Sequence, residues 1–72
     1  MSKNLQILYM QSRLVRLASA RWNMPRDQVV QRFKNNRVFQ YISDLWDYFH
    51  VEGDDAILCD VGEYLEGKKA AE

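Results

Sequence analysis

Apolar and polar positions alternate along most of this chain at the period of a helix. The clearest stretch is Val38 to Gly53. Val38, Tyr41, Ile42, Leu45 and Phe49 fall at i, i+3, i+4, i+7 and i+11, which predicts one apolar stripe on a 3.6-residue turn. Phe39 and Trp46 widen that stripe, and Gln40, Ser43, Asp44 and Asp47 lie opposite. The pattern stops in His50-Val51-Glu52-Gly53-Asp54, where Gly53 can take positive φ without steric penalty. So wide an aromatic face needs covering, which makes this segment the expected centre of the fold.

Three further segments fit around it. Residues 4–22 predict a first helix, with Ile7, Leu14 and Ala18 at the centre of its apolar face. Leu8, Val15 and Trp22 flank that face on one side and Met10 and Leu17 on the other, while Arg13 and Arg16 point away. Trp22-Asn23-Met24-Pro25 reads as a break, because the residue before proline avoids the α region. Pro25 suits the first position of a second helix, which runs to about Lys34 with Val29, Val30 and Phe33 inward. Asn35-Asn36 is expected to supply the left-handed turn into the central helix. Residues 55–66 read as a last helix capped by Asp54 or Asp55, with Ile57, Val61, Tyr64 and Leu65 on one side. Residues 56–61 also fit a short buried strand, and Gly62 weakens a helix. With no second strand to pair with, the helix is preferred. Gly67 is expected to end it and to leave 67–72 as a frayed tail. The expectation is an all-α fold, a small bundle of about four short helices. It forms a single domain over residues 1–72, ordered over about 4–66.

Length makes that bundle marginal. A 72-residue chain buries only roughly 60% of the surface its unfolded form exposes. Two Trp, four Tyr and three Phe offset part of the shortfall. A second copy of the chain would offset more, so a homodimer is one expectation. Cys59 is the sole cysteine and cannot form an intrachain disulfide; it reads as a small buried hydrophobe. Gln11, Arg13 and Arg16 interrupt any signal-like apolar core, and no run is long enough to span a membrane. A cytoplasmic protein without membrane association is the resulting expectation.

The net charge of zero conceals an asymmetry. Residues 1–37 hold eight basic side chains and one acid, and residues 38–72 hold two basic side chains and nine acids. The halves therefore carry +7 and −7. They can pair within one chain, pair head to tail between chains, or simply be two solvated faces of opposite sign.

Catalytic chemistry is hard to assemble from this inventory. His50, Glu52, Asp54 and Asp55 form a polar cluster, but a metal site needs more ligands at suitable spacing. His50 reads better as a cap on the carbonyls ending the central helix. Nothing orders Cys59 and His50 as nucleophile and base. Gly53, Gly62 and Gly67 are too scattered for a phosphate loop. No catalytic residue, cofactor or metal is expected, and the chain reads as a non-enzyme. Nucleic acid is disfavoured. The third helix would present Asp44 and Asp47 to a duplex, while the basic candidates Arg13, Arg16, Arg26 and Arg32 lie on the first two helices.

What remains is a surplus of interface-type residues. Trp22 and Trp46 are assigned to the core. Tyr9, Arg13 and Arg16 share the polar side of the first helix, and Tyr48, His50 and Glu52 lie at the end of the central one. Tyr and Arg are enriched at protein interfaces. These six residues are the candidate interaction surface, and an unidentified protein is the expected partner.

The order of features resembles a bacterial family catalogued as domain of unknown function 3791. The matching features are the helix from Ile7 to Trp22, Met24-Pro25, Phe33, Tyr41-Ile42, Trp46-Asp47, the turn Phe49-His50-Val51-Glu52-Gly53, and Tyr64-Leu65. The family's turn looks like Leu-His-Thr-Gln-Gly, so His50 and Gly53 are kept while Val51 and Glu52 depart from it. The resemblance implies no catalytic role. It implies a small partner protein of the kind found beside toxin-like enzymes, including ADP-ribosyltransferase-like ones, hence an antitoxin-like or accessory role.

Overall fold

The computed structural model describes the backbone of residues 2–71 and the side chains of residues 2–67. Five helices follow one another: α1 (Lys3–Arg21), α2 (Arg26–Asn35), α3 (Val38–Asp44), α4 (Trp46–Phe49) and α5 (Asp54–Ala71). No strand occurs among the described residues, so residues 56–61 are helical. The fold is an all-α bundle.

The N-terminus of α1 is set by Ser2, whose Oγ accepts the Leu5 N–H at 3.2 Å and so satisfies one orphan donor. Ile7, Met10, Leu14, Val15 and Ala18 are buried along one face. The helix ends where Asn23 adopts φ 51°. That left-handed residue lets the Met24 N–H reach the Ser19 carbonyl at 3.1 Å, and the Ser19 hydroxyl donates back to the Met24 carbonyl at 2.6 Å. Pro25 then stands just outside α2 and not as its first residue; its carbonyl accepts the N–H groups of Gln28 and Val29.

Between α2 and α3 the left-handed residue is Arg37, at φ 58°, and not an asparagine. Asn36 serves differently: its side-chain amide and its backbone N–H both donate to the Arg32 carbonyl. That position is satisfied without positive φ, so the reversal falls one residue later.

The long central helix is two helices. At Leu45, φ −102° and ψ 17° take the chain out of regular helix. The bend turns the wheel, so Leu45 is 36% exposed while Trp46, assigned to the core, is 9% exposed. Gly53 does not use its conformational freedom, since no glycine has positive φ among the described residues. Its carbonyl accepts the Ile57 N–H and opens α5. Asp54 and Asp55 occupy the first turn of α5, where the helix dipole favours negative charge. The helix passes through Gly62 and Gly67 to Ala71, beyond the stop expected at Gly67; Glu72 lies outside the described residues.

Packing makes α1 the hub, in place of the central segment: it lies against α2, α3 and α5. Leu14, Val29, Phe33, Ile42, Phe49, Ile57 and Val61 are fully buried between these helices. Phe33 meets Trp22 and Phe39 edge-on, and Tyr41 stacks on Tyr64 at 4.0 Å between centroids. No polar or charged side chain is buried among the described residues.

Candidate functional site

The six expected surface residues lie on α1, on α4 and in the turn after it. Tyr9 and Arg16 stay exposed on α1 and line a common groove. Arg13 is drawn to the start of α5, with its Nε 3.0 Å from Asp54 Oδ2. Tyr48 is exposed on α4, and His50 and Glu52 are exposed in the turn after it.

His50 is used locally. Its backbone N–H donates to the Trp46 carbonyl at 2.9 Å, and its Nδ1 lies 3.0 Å from the same oxygen. A carbonyl only accepts, so Nδ1 carries the hydrogen in this bond. The imidazole also stacks on the Trp46 ring, 5.3 Å between centroids and 25° between planes. Cys59 is exposed, against the expectation of burial. It lines a separate cleft with Trp22, Arg32, Gly62, Glu63 and Glu66. The Arg32 guanidinium lies 5.5 Å over the Trp22 ring there. Among the described residues no three of His, Cys, Asp and Glu are grouped to hold a metal ion.

The opposite charges of the two halves meet within the chain. Lys3 pairs with Asp47 at 3.4 Å, Arg13 with Asp54, and Arg21 with Asp55 at 2.6 Å. All three pairs are solvated, so each stabilises by only ~0–1 kcal/mol. Their larger consequence is positional, since they occupy Asp47 on α4 and both acids at the start of α5.

Among the described residues a second basic set forms no such ion pair. Arg16 on α1 and Arg26 and Lys34 on α2 border an open groove of about 710 Å³. Its apolar floor is Leu8 and Val15 from α1, Val30 from α2 and Phe39 from α3. Gln11 braces one wall by donating from Nε2 to the Phe39 carbonyl at 3.0 Å. None of the lining residues is acidic. Leu8 is 53% exposed and Tyr9 47%, so apolar surface runs from the groove onto the outer side of α1, where Leu5 is also exposed. Sequence reasoning placed Leu8 at the edge of the core and missed Arg26, Lys34 and Phe39 as its neighbours. The available signal was the breadth of the α1 stripe, which is wider than short neighbours can cover.

On α3, Tyr41 is pushed above the ordinary tyrosine range, first by burial and then by the charge of Asp60 and by Tyr64, Glu63 and Tyr48.

Residues 9–68, which span part of α1 and all of α2 to α4 and most of α5, match the family model described as protein of unknown function (DUF3791). The chain belongs to the DUF3791 family. No curated protein and no solved structure matches it. In this DUF3791 protein the matched span includes Tyr9, Arg13, Arg16, Tyr48, His50 and Glu52, and Leu8 lies just before it. Among the described residues no helix is long and apolar enough to cross a membrane.

Proposed function

We propose that this DUF3791 protein is a non-enzymatic protein-interaction module that works in the cytoplasm. Its docking face is the groove between α1, α2 and α3. The observation that carries this reading is the half-exposure of Leu8 and Tyr9 in the lining of an apolar-floored, basic-rimmed groove. Leaving such side chains in water forfeits the gain their burial would bring, roughly 1.5–3 kcal/mol for a leucine. Burying them against a partner recovers it. The finer form of the proposal is an antitoxin-like or accessory role toward a toxin-like enzyme.

Two observations favour this over an enzyme or a head-to-tail oligomer. His50 and Cys59 serve different places, a helix cap and a cleft beside Trp22. Asp47, Asp54 and Asp55, three of the nine acids that head-to-tail pairing of the halves could draw on, are engaged within the chain.

The test is capture from the native host at low salt with wild type and Leu8→Asp in parallel. Leu8 is exposed, so the variant keeps its fold. One stoichiometric partner bound by wild type and lost by the variant is the expected result. Equal capture by both refutes the groove.

A further inference from the structure

We propose that the occupant of the α1–α2–α3 groove is an acidic amphipathic helix of a partner protein. The inference rests on the interaction reading above and adds the chemistry and shape of what binds. Shape comes from the two walls. On α1, Leu8, Ser12 and Val15 recur at i, i+4 and i+7 along one side of the groove. On α2, Arg26, Val30 and Lys34 recur at every fourth residue. At 1.5 Å of rise per residue these walls run about 10–12 Å, the length of two helical turns. A helix laid on them places apolar side chains at i, i+3 or i+4, and i+7 onto Leu8, Val15, Val30 and Phe39.

Charge comes from the rim. Arg16, Arg26 and Lys34 contribute three cations from two helices, and among the described residues no acid lines the groove. The matching occupant carries Asp or Glu beside its apolar stripe. The complementarity speeds encounter and disfavours basic partners. A phosphate backbone would meet the same cations, but it has no use for a floor of four apolar side chains. A second copy of this chain is a poor fit for a different reason. Its own acidic helix, α5, has Ile57, Leu58, Val61 and Leu65 buried in its own core, which leaves no apolar stripe to offer among its described side chains.

The experiment is an NMR titration of the full chain, following backbone amide shifts. The probes are a synthetic helical peptide with leucines on one face and glutamates beside them, the same peptide with every glutamate replaced by lysine, and a short DNA duplex. The glutamate peptide is expected to shift Leu8, Ser12, Val15, Val30 and Lys34. Arg16→Glu with Lys34→Glu is expected to weaken it on the order of tenfold, since each exposed charge pair is worth little alone. Leu8→Asp is expected to abolish the shifts, and added salt to weaken binding by shortening the reach of the rim charges to about 8 Å at physiological ionic strength. No shift with the glutamate peptide, equal shifts with the lysine peptide, or a response to the duplex alone overturns the proposal. Shifts that grow with protein concentration and no probe assign the groove to a second copy and overturn it as well. The two levels separate cleanly. A host partner lost by Leu8→Asp but retained by the Arg16→Glu, Lys34→Glu double variant leaves the docking module standing and removes the acidic occupant.

Discussion

Gly62 sits in mid-α5, where glycine gives up more backbone freedom than any other residue. A Cβ built there meets nothing within 4 Å. Gly62→Ala is therefore expected to stabilise the chain by ~0.5–1 kcal/mol. Thermal melting checks this as a rise of a few degrees, at about 4–8 °C per kcal/mol for a domain of this size. A fall in the melting temperature would mean that the cleft beside Trp22 and Cys59 is tighter than its geometry indicates. Tyr41 predicts a pH effect. An unfolded tyrosine loses its proton near 10.0, and in the fold Tyr41 holds it to higher pH. The folded chain then binds more protons than the unfolded one above pH 10.0, so stability declines as pH rises through that range. Below it the contribution is fully present. Tyr41→Phe is expected to flatten this alkaline decline, as seen in melting temperatures taken across it. Equal slopes for the two proteins would contradict the assignment.

At the scale of elements, α1 carries the fold because three other helices use it. Leu14 is fully buried at its centre. Leu14→Ala is expected to cost about 2–5 kcal/mol, against a total stability that can be as low as about 5 kcal/mol. Circular dichroism in urea should show a much lower midpoint, and an unchanged midpoint would remove α1 from the centre of the account. Helices α1, α2 and α5 were legible in the sequence because apolar spacing is set by the same 3.6-residue turn that sets burial. The Leu45 bend was not legible. Val38 to Phe49 satisfies one continuous helical period, and nothing in its composition marks a break. Only the packed arrangement distinguishes a straight stripe from two short ones in which Trp46 replaces Leu45 in the core. The left-handed residues were half legible. A turn at Asn36 followed from composition, but the side-chain cap that Asn36 makes on Arg32 moved the strained conformation to Arg37. The groove was legible only as its α1 half. Tyr9 and Arg16 lie on a visible polar face, whereas Arg26, Lys34 and Phe39 join them through the packing of α2 and α3 on α1.

At the scale of the whole molecule, the two oppositely charged halves fold against each other. Three ion pairs join α1 to α4 and α5 and consume acids near the chain's middle. The basic residues of α1 and α2 around the groove are left beside its apolar floor. That combination of wasted apolar surface and one-signed rim gives this DUF3791 protein a face built to receive another molecule. The most direct measurement is quantitative capture from the native host by wild type and Leu8→Asp, with circular dichroism confirming that both are folded. The expected result is a single stoichiometric protein partner on wild type that is absent from Leu8→Asp. The same partner bound equally by both folded proteins would contradict it.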